Sequence, residues 1–189
     1  MKKLLLLAAL LLPATCFGDI FLVTMDTTGL GVGTIDIQFN PGAFPALYEP
    51  GTATITNFIL QGGTLGPVSI PGVSTTGDLP GPLTISNDDF LNGIVYDATF
   101  GTSLSFLVDF QGNALTASGQ SILSAFSVTL FGSGFTSAQI QLLGDSQIDA
   151  TGSSPGVSVT SAVPEPSTYG LLALGLGAGY MIRMSRRRR

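Results

Sequence analysis

A chain of 189 residues with 12 carboxylates, 7 cationic side chains and no histidine is acidic overall, at a net charge of −5. The separation of charge says more than the total. Lys2, Lys3, Arg183, Arg186, Arg187, Arg188 and Arg189 are all the cations, and every acidic residue lies between Asp19 and Glu165. A body without Lys or Arg cannot neutralise phosphates, which excludes nucleic acid as a partner.

The N-terminus has the layout of a secretory signal peptide: Lys2 and Lys3, the apolar run 4–12, a break at Pro13, then small residues before Asp19. Cleavage by signal peptidase between Gly18 and Asp19 places Cys16 and Gly18 at the two positions that require small side chains. A cut after Cys16 is the alternative. A lipidated Cys16 is disfavoured, because Pro13-Ala14-Thr15 lacks the leucine-like residue and the Gly or Ala expected before such a cysteine. Cys16 is the one cysteine of the chain, so no disulfide can staple the body. Residues 19–161 have the length of one domain and enough chain to bury a core unaided.

Within that body the pattern is all-β. Apolar residues alternate over 34–39, 104–110 and 126–131, putting aromatic and β-branched side chains on one face. Further strands are expected at 20–25, 53–60, 94–100, 140–143, 147–150 and 157–160. Turn residues separate them at Asn40-Pro41-Gly42, Gln61-Gly62-Gly63, Leu79-Pro80-Gly81-Pro82, Asn92-Gly93 and Gln111-Gly112-Asn113. About nine short strands predict two packed antiparallel sheets, a jelly-roll-like β-sandwich. The Gly- and Pro-rich segment 62–82 reads as a long loop, and Gly29-Leu30-Gly31-Val32-Gly33 as a hairpin turn with no following helix to make it a nucleotide loop.

Reactive chemistry is sparse. Without His, Lys or a body cysteine there is no general base near neutral pH, no Schiff-base amine and no thiol nucleophile. Paired carboxylates could still hydrolyse a glycosidic bond, with Asp88, Asp89, Asp97 and Asp109 as candidates, but they need an enclosing cleft for which so short a body leaves little room. A non-enzymatic protein is therefore expected. Asn87-Asp88-Asp89 and Asp145-Ser146-Gln147-Ile148-Asp149 offer oxygens to calcium, making Asp88, Asp89, Asp145 and Asp149 weak ligand candidates, yet neither matches an EF-hand loop. Thr52, Thr54 and Thr56 share one strand face and read as solvent-facing. For sugar binding the body lacks Trp and has Tyr48 and Tyr96 as its tyrosines, while its phenylalanines fall mostly at core-compatible positions.

The C-terminus, residues 162–189, has three parts. Val163-Pro164-Glu165-Pro166 is held extended by its prolines. Residues 167–182 are apolar enough for a transmembrane helix of about 24 Å, just short of a full bilayer span. Arg183 and Arg186 to Arg189 can extend it by snorkelling, and by the positive-inside rule they place the C-terminus in the cytoplasm. The helix is expected at about 167–183 and the basic stop at 183–189. Gly175 and Gly179 have the spacing of a close helix–helix contact but also suit a plain lipid-facing segment.

That order of motif, apolar span and arginine cluster resembles the PEP-CTERM sorting signal of Gram-negative bacteria, also labelled an ice-binding protein C-terminal domain. The resemblance implies recognition of Pro164, Glu165 and Pro166 by exosortase, cleavage near them, and delivery from the inner membrane to the cell surface or an exopolysaccharide matrix. The body more loosely resembles a group of small PEP-CTERM proteins through Asp26-Thr27-Thr28, the stretch 35–42 and the stretch 100–106, a likeness that supplies no biochemical role. The expected protein is thus a surface or matrix component, or else a module that binds calcium or exopolysaccharide.

Overall fold

The computed structural model describes residues 19–42, 49–115, 117, 124–143, 147–152 and 154–162. The signal peptide, Tyr48, Asp145, the sorting motif and the predicted helix at 167–183 lie outside them. Among the described residues no helix is long and apolar enough to cross a membrane.

Twelve strands form two six-stranded sheets. They are β1 (Asp19–Asp26), β2 (Val32–Pro41), β3 (Gly51–Gln61), β4 (Thr64–Val73), β5 (Thr75–Gly77), β6 (Leu83–Ser86), β7 (Gly93–Thr99), β8 (Ser103–Gly112), β9 (Ser124–Phe131), β10 (Phe135–Leu143), β11 (Gln147–Gly152) and β12 (Val157–Ser161), with a 3-10 turn at Asn113–Leu115. One sheet runs β12-β1-β8-β3-β6-β5, the other β11-β10-β9-β2-β7-β4, and every pairing is antiparallel. Through β4 each successive strand crosses to the opposite sheet. The alternation read from the sequence is the reason both sheets close on one core: β8 buries Leu104, Phe106, Val108 and Phe110, and β9 buries Phe126, Val128 and Leu130.

Phenylalanines join the sheets. The Phe110 ring on β8 lies 5.7 Å from Phe126 and 5.8 Å from Phe39 of the facing sheet, and Phe106 lies 6.3 Å from Phe126. Most of these contacts are tilted or edge-on, as the ring quadrupole favours, and each pair adds about 0.5–1.5 kcal/mol beyond its burial. β3 breaks its own alternation. The register shifts after Thr56, and Asn57 takes a positive φ of 53°, so Phe58 turns into the core while Ile59 faces out.

Three sequence expectations are corrected. Segment 62–82 is not a long loop, because it holds β4 and β5. β4 is an edge strand that pairs with β7 through three register shifts, and an edge needs ladder donors on one side alone, so Pro67 and Pro71 are tolerated. Residues 29–33 are not a hairpin turn. β1 and β2 belong to different sheets, and Gly29 and Gly31, at φ of 82° and 70°, turn the chain between them. Nine strands become twelve, with β6 too short to show a period and β10 beginning at Phe135 rather than Ile140.

Two buried polar residues clamp the sandwich. Asn87, at one pole, donates to the Glu49 carbonyl (2.8 Å) and Ser124 Oγ (2.6 Å) and accepts from the Gly51 amide (2.7 Å), linking β3, β9 and the loop before β7. Tyr96, buried on β7, donates its hydroxyl to Asp78 Oδ1 (2.6 Å) and accepts from the Leu79 amide (3.3 Å). Burial, and then the bond to the Asp78 carboxylate, push the Tyr96 hydroxyl from 10.0 up to about 12.

Asn87→Ala removes three hydrogen bonds, two of them buried, and urea unfolding should show a loss of roughly 2–4 kcal/mol. A loss within experimental error would show that the clamp is dispensable. Because the Tyr96 hydroxyl ionises later in the folded than in the unfolded chain, its contribution is complete below pH 10.0 and is lost as pH rises toward about 12. Tyr96→Phe should flatten that alkaline decline in the unfolding midpoint, and an unchanged alkaline slope would contradict the assignment.

Candidate functional site

The carboxylates singled out by sequence are dispersed by the fold. Asp88 and Asp89 sit exposed on the loop between β6 and β7, where Asp89 Oδ1 accepts from the Phe90 amide (2.6 Å). Asp97 is exposed on the outer face of β7. Asp109 lies on the outer face of β8, in the other sheet, with Oδ2 accepting from Gln111 Nε2 (2.9 Å). Asp149 is exposed on the edge strand β11. Asp97 and Asp109 therefore point away from each other across the sandwich. Among the described residues no three of His, Cys, Asp and Glu converge on a point where a metal could sit, and Asp145 lies outside those residues. Asp26, from the Asp-Thr-Thr stretch, serves a turn: its carboxylate accepts from the Thr28 amide (2.9 Å), which holds its pKa below the usual value.

Both outer faces are polar and free of cations. On β2, Asn40 Nδ2 donates to Gln38 Oε1 and Gln38 Nε2 to Asp36 Oδ2, each at 2.9 Å, and Asn40 Oδ1 accepts from the Asn92 amide at 2.7 Å. Burial raises the Asp36 pKa, and the Gln38 bond opposes that shift in part. On the other sheet Thr54 lies in register with Thr84, their hydroxyls 3.0 Å apart, and Thr76 follows on β5. Sequence spacing exposed the Thr52-Thr54-Thr56 face, but Thr84 and Thr76 join it through pairings that no local pattern announces.

The more informative features are apolar and lie at the two poles. One pole carries Phe131 and Phe135, register partners across the turn from β9 to β10, exposed by 48% and 72%, with Val32 of β2 exposed beside them. A depression of about 340 Å³ adjoins Val32 and Gly33, lined further by Thr64, Gly66, Asp97 and Thr99. Gly33 has no alternative here, since a Cβ would fall 1.7 Å from the Phe131 carbonyl oxygen. Tyr96, one of the two tyrosines of the body, is in the core. The aromatic pair was not legible, because Phe131 and Phe135 fall on the outward phase of β9 and β10 and meet only through the register of that hairpin. The opposite pole carries Phe90 and Leu91 on a loop tip, both largely exposed. A second depression there, about 480 Å³, is lined by Thr52, Ser86, Asp88, Gln111 and Asn113 among others.

The pole of Phe90 is also where the sorting tail departs. Ser161 pairs with Phe21, and the Ala162 amide donates to the Ile20 carbonyl (2.7 Å), so the described chain ends beside its own beginning at Asp19. No curated protein and no solved structure matches the chain. Residues 162–189 match the PEP-CTERM protein-sorting motif, which implies an exported protein processed by exosortase. The chain therefore carries a PEP-CTERM sorting signal over its last 28 residues.

Proposed function

We propose that this is a non-enzymatic surface or matrix protein: a jelly-roll-like β-sandwich delivered outside the cell and held in the inner membrane until exosortase acts on Pro164-Glu165-Pro166. Signal peptidase removes residues 1–18. Residues 167–183 span the bilayer, and Arg183 with Arg186 to Arg189 stay in the cytoplasm. The observation that carries the reading is the division at residue 162: the last strand ends at Ser161 and the sorting motif begins with the next residue. A cut within 163–166 therefore leaves every described strand in place, and a cut after Gly18 leaves β1 whole from Asp19. The jelly-roll-like class is supported by the strand orders β1-β8-β3-β6 and β2-β7-β4 in the two sheets.

A second reading, favoured by the exposed Phe131–Phe135 pair, gives the delivered domain a neutral exopolysaccharide as ligand. Aromatic faces stack on sugar rings, while Thr64, Asp97 and Thr99 offer hydrogen-bond partners alongside. With no cation in the body, a polyanionic chain has nothing to hold it.

In a host with exosortase, Glu165→Ala should leave the protein in the membrane fraction while the wild type is released or transferred. Equal release of both would sink the sorting role of Glu165. For the second reading, electrophoresis in gels containing neutral exopolysaccharide should show the wild-type domain retarded. Phe135→Ala should weaken that retention roughly fivefold, for an aromatic contact of about 1 kcal/mol. Equal mobility of the two would exclude this pole as the sugar site.

A further inference from the structure

We infer that, until the tail is cut, the apolar corner formed by Phe90, Leu91, Ile70 and Val73 rests on the lipid surface, fixing which pole of the domain faces the membrane. This rests on the membrane-anchored reading above and adds a contact that the sorting motif does not require.

The corner is built, not incidental. Phe90 and Leu91 are exposed by 66% and 60%, yet their loop is pinned by Asn92, a residue almost wholly buried. Asn92 Oδ1 accepts from the Asp89 amide (3.0 Å), Nδ2 donates to the Asp89 carbonyl (2.6 Å), and its own carbonyl accepts from the Phe39 amide (2.9 Å). The tip is thus held outward. Leu91 shares a shallow groove with Ile70 and Val73 on the edge strand β4, both also exposed, with Asp36 and Gln38 on its polar side, and Phe90 extends the apolar rim as the neighbour of Leu91 on the loop tip.

The tail sets what that surface meets. Ala162 is fixed beside Ile20, and Ile20 pairs with Asp109. Ser86, where the Phe90 loop begins, is level with Gln111 through Thr52, two register positions nearer the pole. The loop therefore starts about 7 Å ahead of the point where the tail leaves, at about 3.3 Å per residue, and extends further from there. Only residues 163–166 separate Ala162 from the apolar span, a reach of at most about 14 Å. A tether this short keeps the β12 edge of this pole close to the interface, and the corner lies on the same pole toward the opposite sheet edge at β4. It also holds the tip near lipid at an effective concentration on the order of millimolar, so a contact too weak to bind a free protein is populated. The flanking Asp88 and Asp89 make the surface suited to zwitterionic rather than anionic headgroups. The opposite pole, with Phe131 and Phe135, is held away from the bilayer.

The chain contains no tryptophan, so Phe90→Trp introduces a single indole whose emission can be excited selectively over the four tyrosines. Residues 19–189 carrying it are reconstituted into zwitterionic vesicles with brominated acyl chains, alongside Phe135→Trp as the counterpart at the far pole. Phe90→Trp should shift to the blue and lose most of its emission to the brominated lipid, while Phe135→Trp stays bright and open to an aqueous quencher. If the protein floats with the vesicles and the two tryptophans are equally unquenched by lipid, the membrane-contact inference is wrong although the anchor stands. If the protein does not float, the anchored reading itself fails and takes this inference with it.

Discussion

Cohesion in this domain has to come from apolar burial between two sheets, because the body contains no cation with which any carboxylate could pair. No pair of side chains in it can form a salt bridge or a disulfide. The phenylalanines on facing strands supply the closure instead, with Phe110 touching rings from its own sheet and from the opposite one. Full burial of each such side chain contributes roughly 1.5–3 kcal/mol, whereas exposed ion pairs contribute about 0–1 kcal/mol, so the missing pairs cost the fold little. What the charge pattern does cost is repulsion among carboxylates, and the fold limits it by spreading Asp36, Asp97, Asp109 and Asp149 over two outer faces.

That division of labour gives the molecule polarity along its length. Its outer faces carry Thr, Gln and Asn in hydrogen-bonded pairs, and its most exposed phenylalanines, Phe90, Phe131 and Phe135, lie at the poles. Antiparallel pairing of β12 with β1 brings residue 162 back to residue 19, so both processing sites flank the same end. On the proposed anchoring, one pole faces the membrane and the other is presented outward. A sorting signal that is removed after use requires a payload whose fold does not depend on it, and the last strand among the described residues ends before the motif starts.

Much of the architecture was legible in the sequence, for physical reasons that also mark where legibility ends. Alternation in 104–110 and 126–131 reports burial on one face, so it located β8 and β9 and their core residues. β4 was missed because an edge strand relaxes the rules that make strands recognisable: it accepts Pro67 and Pro71, exposes Ile70 and Val73, and pairs irregularly. The turn at 29–33 was recognised from its glycines, but whether a turn joins paired strands or crosses between sheets depends on distant partners. At the functional level, the sorting motif is linear and was readable directly. The Phe131–Phe135 pair and the Phe90 tip are properties of register and of Asn92, which composition does not report.

The central claim is that the domain is delivered entire and its address removed. Intact-mass and terminal-peptide analysis of the protein recovered from the cell surface or matrix tests this most directly. The account predicts a chain that begins at Asp19 and ends within or just before 163–166, with the arginine-rich terminus missing. A surface protein that still carries Arg186 to Arg189 would contradict it.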